Sequence, residues 1–492
     1  MFTLTAVVID GNTALPSSAF EPLYAPMLRH QVSLADVYRL RDQITAKYRA
    51  AGYILSQAII PPQTIKNGVV RIQIVEGTIN KVRIEGDDAA NPLIRKMAQK
   101  IRESRPLNAR DLERYTLLIG DLSGITVRTV LMPSDQPGSA DLVIQVTHKP
   151  VSGFISADNR GSRAIGPLEL SAGMSFNSLL GLNEQASVLV ATASPTRELH
   201  YIDGRYVQPL GTEGLQLDLD GASSRSRPGG AIRALDALGT ATILSAGLEE
   251  PLIRSRAKTL RMGLSFTYQN TRTDLLGVTF SNDRVRYLTG WLSYDVADAA
   301  LGPSLPASTL FRVQLSQGLD ILGARSTGSA NLSRANGHSD FTLVTGEVSR
   351  VQRLGGPLSM ALSASGQLAF VPLLSSQQFG LGGRRFGRGY EPSELIGDNG
   401  VAVSIEPRLD LAAMGPARGQ LYAYYDAGRV WQKDPLPGQA RSESLSSIGA
   451  GIRFGIGPHV QAAFELAKPL TRDIASRGNR NVRPLFDFTV SF

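Results

Sequence analysis

From Pro150 to the C-terminus the chain is written in segments of about ten residues in which apolar and polar positions alternate. Leu260, Met262, Leu264, Phe266 and Tyr268 interleave with Arg261, Gly263, Ser265, Thr267 and Gln269, and Val401, Val403 and Ile405 with Ala402, Ser404 and Glu406. Alternation of period two means strands with one apolar and one polar face. Sixteen such segments can be counted, the first near residue 152 and the last near 484, separated by clusters of Gly, Pro, Ser, Asn and Asp. An even number of alternating strands suits a barrel that is apolar outside and polar inside, the arrangement of outer-membrane proteins. A soluble sandwich or propeller fits less well, because the polar face carries charges on strand after strand and no four-strand blade period is present. No stretch reaches the roughly 18–20 uninterrupted apolar residues of a transmembrane helix, which says nothing against a barrel.

Residues 1–150 follow a different pattern, a unit of about 75 residues stated twice in the order β-α-α-β-β. In the first copy a strand is expected over Phe2–Ile9. A helix over Leu34–Ala51 carries an apolar stripe at Leu34, Val37, Leu40, Ile44 and Tyr48, capped by Ser33 with Asp36 and stopped by Gly52. Strands are expected over Ile54–Ile60 and Val69–Val75. The second copy predicts strands at Ile79–Ile84, Ile125–Met132 and Asp141–His148, with helices at Pro92–Ile101 and Asn108–Asp121. The domain boundaries expected are therefore 1–77, 78–150 and 151–492.

Four stretches carry a resemblance. The first is Gly52-Tyr53-Ile54-Leu55-Ser56-Gln57-Ala58-Ile59-Ile60-Pro61-Pro62-Gln63 running into Gly68–Gly77. The second pairs Asp158-Asn159-Arg160-Gly161 with Leu180-Gly181-Leu182-Asn183-Glu184. The third is Phe386-Gly387-Arg388-Gly389-Tyr390, and the fourth Tyr425-Asp426-Ala427-Gly428-Arg429-Val430. In this order and spacing they resemble the outer-membrane transporters of two-partner secretion, the TpsB or haemolysin-activator type. That resemblance implies two tandem periplasmic POTRA domains followed by a 16-stranded transmembrane β-barrel, with a long loop at about 372–398 folded into the lumen. The family often carries an N-terminal helix that plugs the barrel; this sequence opens at the first POTRA strand, and a plug is not expected from it.

The resemblance places Arg388, Gly389 and Tyr390 at the loop tip. A guanidinium in a narrow lumen needs a carboxylate partner and binds one bidentately. Asp426 is the first candidate, because it shares strand parity with Tyr422 and Tyr424, and Glu406 on the neighbouring polar parity is the second. The alternating end of the chain, with Phe488, Val490 and Phe492 on one face, resembles a membrane-insertion signal. In the N-terminal half an unpaired sheet edge is suited to capture an unfolded client by strand addition; Ile54, Ser56, Ala58, Ile60 and Tyr48 are the expected contacts.

The function expected is a protein-translocation pore of the bacterial outer membrane. It would take one large secreted β-helical partner, an adhesin, haemolysin or contact-dependent toxin, and work as a monomer among outer-membrane lipid. A barrel-assembly factor of the same superfamily is the alternative. No cofactor or metal is expected and no enzymatic activity, since no nucleophile, zinc or nucleotide motif is complete. The absence of Cys removes thiol chemistry and thiolate metal sites. The formal charge of +8 is spread over both halves without a basic run, so no nucleic acid is expected.

Overall fold

The computed structural model describes residues 1–87, 89–413, 415–435 and 437–492. The chain divides into two compact units, Met1–Lys149 and Pro150–Phe492.

The N-terminal unit holds two small sheets of the same topology. In the first, Val69–Val75 is central, parallel to Ala6–Asp10 and antiparallel to Gln57–Ile59. In the second, Ser139–His148 is central, parallel to Thr78–Gly86 and antiparallel to Ile125–Pro133. Helix Leu34–Ala50 covers the first sheet with Val37, Leu40, Ile44 and Tyr48 buried. Ser33 and Asp36 close a reciprocal capping box at its start, satisfying donors that an open helix end leaves free. Helices Pro92–Glu103 and Ala109–Gly120 pack on the second sheet. Gly52 joins the two layers: its carbonyl accepts the Ala109 N–H at 2.8 Å. Its φ is +96° and a Cβ there would meet Asn108 Oδ1 at 2.9 Å, so only glycine fits.

Two expected strands differ. Phe2–Ile9 is broken at Leu4-Thr5, because Phe2 and Thr3 pair with Val32 and Gln31 whereas Ala6–Asp10 pair with Val69–Gln73. Buried Leu4 sits at the exchange of partners. Ile54–Ile60 shrinks to Gln57–Ile59. Its first half is a turn in which Ser56 N–H donates to the Tyr53 carbonyl at 3.1 Å and Ser56 Oγ accepts the Gly77 N–H at 3.1 Å.

The C-terminal unit is a closed antiparallel barrel of sixteen strands. The first, Val151–Asp158, pairs with the last, Arg483–Ser491. Strand parity is as the alternation requires: Leu264, Val403, Ile405, Tyr425 and Ile448 are exposed on the outer face, while Ser404, Glu406, Tyr424 and Asp426 are buried toward the lumen. Strands begin within three residues of the positions expected except the eighth, Val278–Asp298, expected near 284. After the exposed Val278 and Phe280 the same parity carries Asn282, Arg284 and the buried Arg286, which interrupt the apolar alternation until Leu288. Phe488, Val490 and Phe492 lie on the exposed outer face of the closing strand.

The turns on the rim where the first strand begins are short, such as 255–257 between Leu238–Arg254 and Lys258–Leu275. The opposite, far rim carries the long connections. The longest is residues 370–398, between Leu358–Ala369 and Asn399–Asp410.

The candidate functional site inside the barrel

Loop 370–398 leaves the far rim and folds into the lumen. Its stalk is a short antiparallel pair, Phe379–Leu381 with Leu395–Gly397. The turn beyond it needs glycine: Gly382, Gly383 and Gly387 have φ of +116°, +95° and +73°, a region that side chains disfavour. Leu381, Phe386, Tyr390 and Leu395 form a buried cluster with Ala402, Val430 and Leu445 of the wall. The loop is thus packed as part of the interior.

Arg388 sits at the centre of the contact, 7 % exposed. Nε donates to Asp426 Oδ2 at 3.0 Å and Nη2 to Asp426 Oδ1 at 2.9 Å, the planar fork that fits a carboxylate. Nη1 donates to Glu406 Oε2 at 2.5 Å and Nη2 to Ser404 Oγ at 3.1 Å. The Arg388 backbone N–H adds a bond to Asp426 Oδ2 at 3.0 Å. Its guanidinium lies 3.4 Å from the centre of the Tyr424 ring. Asp426 is fully buried, and among the described residues its donors, apart from Ser404 Oγ at 2.7 Å, all belong to Arg388. Glu406 is shared: Arg408 and Arg453 each donate to its other oxygen at 2.8 Å.

The residues around this pair hold it in place. Tyr422 and Tyr424 hydroxyls donate to the two oxygens of Glu465, each at 2.8 Å. Gly451 and Gly449 on the next strand leave space for the two rings: a Cβ at Gly451 would meet Tyr422 Oη at 2.7 Å, and one at Gly449 would overlap Tyr424. Gly389 is equally constrained, since a Cβ would meet Ser447 Cβ at 2.8 Å and Pro469 N at 2.9 Å. Its N–H donates to Ser447 Oγ at 3.2 Å. Tyr390 is buried with its hydroxyl accepting the Thr471 and Arg472 N–H groups at 3.3 and 3.2 Å.

The structure therefore brings Arg388, Gly389 and Tyr390 onto the wall with Asp426 and Glu406. Glu465, Ser404 and Arg453 belong to the same network and were missed in sequence; Glu465 is the one carboxylate on the strand Val460–Pro469 and has lumen parity, which is the signal that marks it. Also missed was Asp398 at the base of the loop. Fully buried, it accepts Arg334 Nη1 at 2.5 and 2.6 Å and the Leu373 and Lys433 N–H groups at 2.7 Å.

The expected client contacts need correction. Tyr48, Ser56 and Ala58 are interior, at 0 %, 1 % and 4 % exposed, because the stripe and turn that carry them build the core. Tyr48 donates to Glu76 Oε1 at 2.8 Å. Ile60 packs partly buried on that core, and only Ile54, at 40 %, is open to a partner.

A closed barrel whose apolar face looks outward, and whose lumen holds an inserted loop, defines a transmembrane transporter of the outer-membrane type. Residues 138–454 match the family described as haemolysin secretion/activation protein ShlB/FhaC/HecB, and residues 2–77 match the ShlB-type POTRA domain. The chain belongs to the ShlB/FhaC/HecB family, the outer-membrane transporters of two-partner secretion, with its POTRA region in the periplasm. It is 25 % identical over 490 residues to the heme/hemopexin transporter protein HuxB of Haemophilus influenzae strain 86-028NP, covering 96 % of this chain and 84 % of that one. It is 31 % identical over 182 residues to the outer membrane transporter CdiB of Escherichia coli, 37 % of this chain and 31 % of that one. The solved structure of CdiB from Escherichia coli superposes with a TM-score of 0.82 at 22 % identity, over 100 % of this chain and 90 % of that chain. That of CdiB from Acinetobacter baumannii gives 0.71 at 17 %, over the same shares. These last two establish the shared fold.

Proposed function

We propose that this chain exports one large partner protein through the barrel, with loop 370–398 as the element that occupies the lumen at rest and yields to the passing chain. The observation that carries the reading is the loop tip, held in the lumen by one buried guanidinium shared between Asp426 and Glu406. Such a tip is bistable in principle: every donor it makes at the wall is lost together when it leaves. Residues 1–77 and 78–150 act as two POTRA repeats on the periplasmic side. The unpaired edges of their sheets, Ala6–Asp10 and Gln57–Ile59 in the first, receive the unfolded client by strand addition, with Ile54 at the rim of that surface.

The partner is a β-helical adhesin, haemolysin or contact-dependent toxin; HuxB and CdiB are named for a heme/hemopexin transporter and an outer membrane transporter. The protein works as a monomer in outer-membrane lipid and carries out no covalent chemistry. Phe488, Val490 and Phe492 guide insertion of the barrel. The test is deletion of the gene followed by analysis of the surface and outer-membrane proteomes. Loss of one large secreted protein, with other barrels unchanged, supports export. A general fall in outer-membrane barrels would instead support the assembly-factor reading.

A further inference from the structure

The ladder that closes the barrel is its shortest. Arg483–Ser491 and Val151–Asp158 share five registered pairs, from Asp487/Asp158 to Ser491/Phe154, where every other neighbouring pair of strands shares at least eight. Toward the far rim of this seam two carboxylates face each other, one residue before Asn159, which donates its N–H to the Phe486 carbonyl at 3.3 Å and accepts the Phe486 N–H on Oδ1 at 2.8 Å. Gly153 and Phe492 exchange both backbone bonds, at 3.1 and 2.9 Å. Counting along the ladder therefore puts Asp158/Asp487 in the class without backbone bonds, where Cα atoms approach to about 4.5 Å. Glu169 stands directly opposite Asp158 on the other side. Like charges placed opposite one another push strands apart.

Two arginines offset this row. Arg160 Nε donates to Asp487 Oδ2 at 2.6 Å, and it belongs to the wall. Arg384 belongs to the loop tip, and its Nη2 lies 2.6 Å from Asp158 Oδ2 and 2.9 Å from Asp487 Oδ1, bridging first strand and last. Four residues further on, Arg388 fixes the same tip to Asp426 and Glu406. When the tip leaves the wall, Arg384 leaves the seam with it, and Arg160, whose backbone N–H donates to Asp158 Oδ1 at 2.9 Å, alone offsets Asp158 and Asp487 across the shortest ladder in the barrel.

We propose that Arg384 is a positioning residue that makes closure of the barrel seam depend on docking of the lumenal loop. Undocking therefore does two things at once: it clears the lumen, and it loosens the junction of the first and last strands so that the barrel wall can widen. The inference rests on the reading of the loop as a mobile element, but its test needs no secreted partner, so failure here and failure of the export reading are distinguishable.

The test reads hydrogen exchange of the closing strand, Arg483–Ser491, in the full-length protein in membranes, with heat-modifiable migration on gels confirming a folded barrel. An amide bonded across the seam exchanges when the seam opens, so its rate reads the open fraction. Arg384→Glu is expected to speed exchange by about fivefold, the scale of removing one exposed pair and adding a repulsion. Arg384→Gln is expected to speed it less. Arg388→Ala, which frees the tip without touching the seam, must speed it at least as much, and Arg384→Glu must add little on top of it. Asp158→Asn must weaken the dependence on residue 384, leaving its contact with Asp487 alone. The chain has no Cys, so a disulfide between Ser156→Cys and Thr489→Cys, a directly opposed pair, locks the seam and must abolish the effect of Arg384→Glu. An unchanged exchange rate in Arg384→Glu overturns the proposal. So does a faster exchange in Arg384→Glu that Arg388→Ala fails to reproduce, because Arg384 would then act on the seam without regard to the loop.

Discussion

Arg388→Ala is the sharpest perturbation of the docked loop. The side chain makes four hydrogen bonds to two carboxylates and one hydroxyl, all buried. Its removal leaves Glu406 with Arg408 and Arg453, but leaves Asp426, at 0 % exposed, with Ser404 and a backbone N–H alone. Breaking a buried ion pair on one side costs about 3–5 kcal/mol, most of it from the carboxylate left behind. At about 1.4 kcal/mol per tenfold, the ratio of docked to undocked loop falls by roughly two to four orders of magnitude. Ser447→Cys supplies the probe: Ser447 is fully buried under Gly389, so a thiol there reacts with a maleimide only when the tip lifts. With no other Cys in the chain, the labelling rate reads the open fraction. The expected result is an increase of at least a hundredfold in the Arg388→Ala background, with the barrel still heat-modifiable and inserted. A rate within threefold of the unsubstituted background would refute the reasoning, since it would mean that the apolar cluster of Leu381, Phe386 and Leu395 holds the loop unaided.

Further outcomes follow from the same geometry. Gly389→Ala is expected to raise Ser447→Cys labelling as well, because the new Cβ meets backbone at Pro469 and Lys468 that has nowhere to move. Arg385→Ala is expected to change labelling less than fivefold, since its pair with Glu347 is 67 % and 34 % exposed and such pairs contribute about 0–1 kcal/mol. Asp398→Ala is expected to lower the yield of folded barrel, measured by heat-modifiable migration, because it strands Arg334, 7 % exposed, and the Leu373 and Lys433 N–H groups at the far rim. In the N-terminal unit, burial works to raise the Glu76 carboxyl, but the N–H groups of Ala14 and Thr13 and the hydroxyls of Thr13 and Tyr48 outweigh it and hold it below its ordinary 4.5. Its contribution to stability is therefore present above that pH and lost as pH falls through the depressed value. Hydrogen-exchange protection of Val69–Val75 should drop on acidification below about 4.5, whereas Glu76→Gln should be less protected at neutral pH and lack that drop.

Much of this architecture is legible in strand parity. Once alternation fixes which face is apolar, Asp426, Glu406, Tyr422 and Tyr424 fall on one side, and a carboxylate partner for Arg388 follows from the cost of burying a lone guanidinium. What parity does not carry is register between strands far apart in sequence. Glu465 meets Tyr424 and Tyr422 across 41 and 43 residues, and Arg334 meets Asp398 across 64; no local pattern encodes either. The error over Tyr48 has another origin. Its place in the i, i+3, i+4 stripe already marks it as core. Ile54–Ile60 misled because an apolar run without periodicity reads as a strand when half of it is a turn closed by Ser56 and Gly77. Glu76 shows the converse: its place in the motif ending Glu76-Gly77 is explained by the turn at Thr13 and Ala14 that its carboxylate ties down.

The central claim is that the exported chain passes through the lumen. Photo-crosslinking residues placed one at a time at Gln461 and Thr489, which line a cavity of the lumen, and at Tyr425 and Ile448 on the outer face, test it in cells secreting the partner. Adducts with the partner are expected from the two lumenal positions and none from the two outer ones. Adducts from Tyr425 or Ile448 alone, while secretion continues, would contradict it.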